Sequence, residues 1–106
     1  MVKIKACLAS ELPPGKMSNI TLLGRIVLLA NVEGQLFAMD GLCSSDGGNL
    51  AEGALNGYTV RCPIHGSEFD LRSGNVVEQS WDDGKRSDDL RTYPISQDGD
   101  CIMVDI

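Results

Sequence analysis

Cys62 and His65 stand three positions apart in a loop that closes through Gly66, and Cys43 opens a second loop, Cys43-Ser44-Ser45-Asp46-Gly47-Gly48. If the donors of both loops serve one centre, the fold must carry the two loop tips to the same place. No other stretch of the chain constrains its topology as strongly. Thiolate sulfur with imidazole nitrogen suits zinc or an iron–sulfur centre, whereas calcium and magnesium take oxygen ligands. Gly47, Gly48 and Gly66 let backbone N–H groups approach such a centre closely. The plainer alternative is that the glycines only make turns and that the ligand types fall together by chance.

A chain of 106 residues suits one domain, 1–106, with a real core that a bound metal would still stabilise materially. No apolar run approaches the roughly 18 residues of a membrane span, and the start MVKIKACLAS has no signal-like block, so a cytoplasmic protein is expected. With 9 basic and 15 acidic residues the net charge is −6, which disfavours nucleic acid and favours a protein partner with a basic docking face. An acidic surface also serves plain solubility. Four cysteines without a secretory signal read as metal ligands or free thiols rather than disulfides. Cys43 and Cys62 are assigned to the site. Cys7 and Cys101, in the first and last apolar stretches, are expected to be small buried hydrophobes, and neighbours if the end strands pair.

Residues 2–8 alternate apolar and polar side chains, as a strand with one buried face does, and Leu12-Pro13-Pro14-Gly15 stops the pattern. Residues 20–23, 26–32 and 35–40 are predicted as short strands, the last two joined by a tight turn at Glu33-Gly34. Residues 58–61 are predicted to deliver Cys62 into its loop, with strands at 69–71 and 76–77 around a turn at 72–75. Residues 90–95 and 101–106 flank the hairpin signal Asp98-Gly99-Asp100. Helical character is confined to a turn around 50–55, so the pattern predicts an all-β sandwich or barrel. The polar run 80–89 is long enough for a mobile loop, and its Trp81 is either a docking anchor or a side chain lying back on the core.

Leu12-Pro13-Pro14-Gly15, Leu50-Ala51-Glu52-Gly53, the block from Cys62 to Gly74 and Leu90-Arg91-Thr92-Tyr93-Pro94 together resemble small Rieske-type [2Fe–2S] ferredoxins over nearly the whole chain. The resemblance implies a Rieske-like antiparallel sandwich or barrel, with a cluster-binding subdomain of two loops, residues 41–71, inserted in the β base. It also implies that Cys43 and Cys62 hold one iron and that His65 is a ligand of the second. The family's first loop reads Cys-x-His, and here Ser45 stands at the histidine position. Asp46 is favoured over Ser45 as the replacement, because a carboxylate is already anionic at neutral pH while a serine must lose a proton of high pKa. Asp46 acting only as a turn former is the competing role. Gly47, Gly48, Gly66, Ser67 and Phe69 would surround the centre, with Ser67 as a hydrogen-bond donor.

A carboxylate in place of an imidazole would lower the potential. Gly48 and Ile64 stand where high-potential members carry a loop-linking disulfide, and Phe69 replaces a tyrosine hydroxyl, so both push the same way, to roughly −150 mV or below. The function implied is a soluble, monomeric electron carrier serving a reductase or oxygenase, a component of an oxidoreductase rather than an enzyme itself. A mononuclear zinc module on Cys43, Asp46, Cys62 and His65 and a cluster-free interaction subunit are the alternatives.

Overall fold

The computed structural model describes residues 2–81, 84 and 86–106, so Asp82, Asp83 and Lys85 of the expected mobile loop lie outside the described residues. Its strands are β1 (Lys3–Leu8), β2 (Met17–Leu22), β3 (Arg25–Val32), β4 (Gln35–Asp40), β5 (Ala54–Asn56), β6 (Thr59–Arg61), β7 (Glu68–Asp70), β8 (Val76–Glu78), β9 (Thr92–Tyr93), β10 (Ile95–Asp98) and β11 (Cys101–Asp105). They form three antiparallel sheets, ordered β1-β11-β10, β2-β3-β4-β9 and β5-β6-β7-β8.

The architecture turns on β3, whose apolar run is buried on both faces. Successive side chains of a strand point to opposite sides. Val27 and Leu29 therefore enter one core with Leu12, Ile102 and Val104, while Leu28, Ala30 and Val32 enter another with Val60, Phe69 and Leu71. The first core joins the β2-β3-β4-β9 sheet to the terminal sheet. The second joins it to the β5–β8 sheet, and Cys43 and Cys62 belong to that second core. Both metal-type loops are thus anchored from behind by the side chains that hold the third sheet on.

Two turns connect this frame. Glu33-Gly34 is the expected tight turn, with φ of 52° and 94°, and Leu23-Gly24 makes a second turn of the same kind at 48° and 78°. Positive φ at both central residues matches the right-handed twist of the paired strands. Leu23 pays for this with a strained backbone and a side chain 70% exposed.

Several expectations need correction. The turn at 50–55 is a short 3-10 helix, Leu50–Glu52, followed by β5 rather than more helix. The stretch 90–95 is not one strand. It breaks at Pro94, which lacks an N–H, and the chain passes there from the sheet of β4 to the sheet of β11. The ends do pair, but Cys7 faces Ile102 and Cys101 faces Leu8, one step apart. Directly opposed residues share a face and adjacent ones do not, so the two thiols point to opposite sides. Both are half-buried free thiols rather than fully buried ones, and Cys7 alone packs against the core.

No α-helix occurs among the described residues, and no helix there is long and apolar enough to cross a membrane. The third sheet lies between β4 and β9 in the chain and runs on to Glu78, beyond the 41–71 span drawn from the sequence.

Candidate metal centre

The two loops share one backbone frame. In the first, Cys43 N–H donates to Gly48 O at 2.9 Å and Gly47 N–H returns to Cys43 O at 2.9 Å. In the second, Cys62 N–H donates to Ser67 O at 2.7 Å and Gly66 N–H returns to Cys62 O at 3.3 Å. Gly47 and Gly66 occupy the same step with φ of 73° and 77°, a left-handed conformation that glycine adopts without a Cβ clash. Counted along this frame, Cys43 is the counterpart of Cys62, and Asp46 is the counterpart of His65. β4 feeds the first loop, β6 delivers Cys62 and β7 carries the chain away from the second.

The expected donors converge. Cys43 and Cys62 are 3% and 2% exposed, and their sulfurs lie with a carboxylate oxygen of Asp46 within 4.8 Å of one another. His65 stands outside that trio, yet its Nδ1 is 3.0 Å from Asp46 Oδ2, and its side chain is 31% exposed against 3% for Asp46. Asp46 Oδ1 and Oδ2 lie 3.4 and 3.6 Å from Cys62 Sγ. The carboxylate therefore connects the buried sulfurs to the imidazole at the surface. Ser45 Oγ lies 3.3 Å from Cys43 Sγ.

The electrostatics follow from this crowding. Burial pushes the Asp46 carboxyl up, but donors from Gly48 N–H, His65 and the thiols of Cys62 and Cys43 more than offset it and hold it below the usual carboxylate range. Burial raises the Cys62 thiol to about 11, with Asp46 and Cys43 adding to the effect, although the N–H groups of Ile64 and His65 point at the sulfur and oppose it. Such a thiol stays protonated at neutral pH until a metal displaces the proton.

Residues around the donors pack closely on them. A Cβ on Gly48 would fall 2.7 Å from Cys62 Sγ and 3.0 Å from Asp46 Oδ1, and one on Gly66 would run into the Trp81 ring. Two sulfurs on the inner side, with an imidazole and a carboxylate on the outer side, match a dinuclear iron–sulfur group in donor chemistry. Phe69 is fully buried behind the second loop, in the same core as both cysteines. Ser67 is buried too, and its hydroxyl meets Ser87 Oγ at 2.6 Å. Whichever of the two donates, one hydroxyl proton is left for another acceptor.

Sequence reasoning missed the strap that holds these loops. Ser44 Oγ donates to Asp88 O at 2.6 Å and accepts from Asp88 N–H at 2.9 Å. Ser87 N–H donates to Gln79 Oε1 at 2.9 Å, and Trp81 N–H donates to His65 O at 2.7 Å. One segment thus fastens the first loop through Ser44 and the second through Ser67 and His65. Only the polarity of the run 80–89 was visible beforehand, and that suggested mobility. Trp81 does not lie back on the core. It is 66% exposed, with the Arg61 guanidinium 4.7 Å from its ring centroid.

Comparison with known proteins identifies the family. Residues 2–94 match the Rieske [2Fe-2S] domain. The ferredoxin component of the naphthalene 1,2-dioxygenase system of Pseudomonas aeruginosa is 29% identical over 103 residues, 97% of this chain and 94% of that protein. The 3-phenylpropionate/cinnamic acid dioxygenase ferredoxin subunit of Escherichia coli (strain K12) is 31% identical over 107 residues, 100% of this chain and 95% of that one. Among solved structures, the ferredoxin of carbazole 1,9a-dioxygenase from Nocardioides aromaticivorans IC177 superposes with a TM-score of 0.86 at 23% identity, covering 98% of this chain and 97% of that one, which bears on the fold. The chain belongs to the Rieske [2Fe–2S] domain family and is a Rieske-type ferredoxin, an electron carrier that works with a [2Fe–2S] cluster.

Proposed function

We propose that this ferredoxin passes single electrons from a reductase to the oxygenase component of a multicomponent dioxygenase. When a cluster is bound, Cys43 and Cys62 would hold one iron, and His65 with an oxygen ligand from the first loop would hold the other. The cluster, when bound, supplies the one-electron store. The observation that carries this reading is the graded burial of the donors, from sulfurs 2–3% exposed to an imidazole 31% exposed. Buried sulfurs keep water from the inner side. The imidazole edge gives the electron a short way out to a docked partner.

The rest of the chain's part is to hold and orient. Ile64 and His65 N–H groups aimed at Cys62 Sγ stabilise negative charge on that sulfur. Residues 41–71 act as the cluster-binding subdomain on the β base, and Ile64 and Trp81 are exposed beside His65 as apolar contact area. A net charge of −6 supports a partner with a basic docking face. A cytoplasmic monomer is the working form in this reading.

Reoxidation kinetics test the assignment. The chemically reduced protein is mixed anaerobically with an oxygenase component of the naphthalene or phenylpropionate dioxygenase type. Oxidation at least tenfold faster than in buffer, slowing as salt is raised, is the expected result. No acceleration by any such oxygenase would contradict it.

A further inference from the structure

We propose that Asp46 is the fourth protein ligand, so that the outer iron is held by the Asp46 carboxylate and His65 Nδ1 instead of by two imidazoles. The inference rests on the reading of the chain as a cluster-carrying ferredoxin and names the ligand that the sequence leaves open. Four observations carry it. The matched hydrogen-bond frames put Asp46 at the step that His65 occupies in the second loop, each just before a left-handed glycine.

Its two oxygens do separate jobs. Oδ1 accepts Gly48 N–H at 2.8 Å, which makes the turn. Oδ2 faces His65 Nδ1 at 3.0 Å. Two ligands on one tetrahedral ion, each about 2.0–2.1 Å from it, stand about 3.3 Å apart. The 3.0 Å between Oδ2 and Nδ1 is that of a hydrogen bond, and it leaves the two atoms near enough to share a single metal ion.

The third observation is burial. The Asp46 side chain is 3% exposed, and Gly48 N–H, His65 and the thiols of Cys62 and Cys43 are the groups that reach it. Of these, His65 and the two thiols are metal-type donors. A carboxylate held among them is placed to bind the same centre. The fourth concerns the competitor: Ser45 Oγ reaches Cys43 Sγ, whereas Asp46 reaches both Cys62 Sγ and His65 Nδ1. When iron binds, the hydrogen bond between Nδ1 and Oδ2 gives way to one bond from each atom to the metal. With Nδ1 on the metal the ring would carry its single proton on Nε2, and the protons of the Cys43 and Cys62 thiols would leave to solvent.

Three variants decide the matter, each loaded anaerobically with iron and sulfide beside the unaltered protein. Asp46→Asn keeps an oxygen for Gly48 N–H, so it preserves the turn while removing the anionic ligand. It is expected to lower bound iron at least fivefold, with metal-free thermal unfolding close to that of the unaltered protein. Ser45→Ala is expected to keep its iron and its EPR spectrum. Asp46→His is expected to recover iron with shifted g values and a higher potential than the unaltered protein, which a purely structural role for Asp46 would not produce.

Full iron and an unchanged EPR spectrum in Asp46→Asn would overturn the assignment. So would loss of iron in Ser45→Ala with Asp46→Asn intact, and in both cases the carrier reading stands. Absence of iron and sulfide from the unaltered protein would overturn the carrier reading itself.

Discussion

At the scale of single residues, the site is made by what is left out as much as by what is present. Gly47 and Gly48 are neighbours with different duties. Gly47 needs its left-handed φ of 73° and has open space where a Cβ would go. Gly48 needs the space, because its Cβ would press on Cys62 Sγ and Asp46 Oδ1 at once. Gly48→Ala is therefore expected to lower iron content severalfold while the metal-free fold melts within a few degrees of the original. Gly47→Ala is expected to destabilise the metal-free fold by about 1 kcal/mol while keeping more of its iron. Iron analysis and thermal denaturation of the two variants, side by side, separate space from strain. Cys43, Cys62 and His65 could be read from the sequence because ligand spacing and glycine placement are local signals. The orientation of Asp46 could not, since Asp46 and Ser45 differ by one step of backbone whose direction only the hydrogen-bond frame sets.

At the scale of elements, the strands with strong periodic patterns were legible and the short ones were not. β1, β3, β4 and β11 carry alternation or apolar runs long enough to declare themselves. β5 spans three residues, of which Leu55 alone is half-buried, so no period exists to be read. Pro94 marked the division of residues 90–95, yet which sheet each half joins depends on pairings far away in the chain. The strap is the clearest case. Ser44 and Asp88 are distant in sequence, and nothing in a polar run announces that it will clamp two loops.

Hydrogen bonds to Ser87 and Asp88 tie the two loops to one segment. Ser44→Ala removes both bonds to Asp88, and Ser87→Ala removes the bond to Ser67. Each is expected to cost about 1–2 kcal/mol and to speed loss of the cluster several-fold, with the double variant worse than either. Cluster bleaching followed at fixed temperature checks this. Rates equal to the unaltered protein in both single variants would show that the strap holds nothing.

At the scale of the whole molecule, the layout explains how a small acidic protein backs its metal-type loops with its own core. β3 serves two cores, and the second core both holds the third sheet and backs the cysteines. Disturbance of that core therefore reaches the site directly. The fold class was legible because many short strands with turns at their ends leave few alternatives, and the resemblance reached across nearly the whole chain. The sharing of β3 between two cores showed only in its unbroken apolar run, Ile26-Val27-Leu28-Leu29-Ala30, which a strand buried on one face would not need.

The central claim is that this chain, with three of the family's four ligands and a first-loop oxygen ligand in place of the missing histidine, still assembles the cluster. Its most direct test is iron and acid-labile sulfide analysis of the unaltered protein purified without oxygen, followed by EPR after one-electron reduction. About two irons and two sulfides per chain, with an EPR signal that appears on reduction and a potential near or below roughly −150 mV, are expected. A colourless protein holding zinc or no metal, and silent by EPR after reduction, would contradict the account.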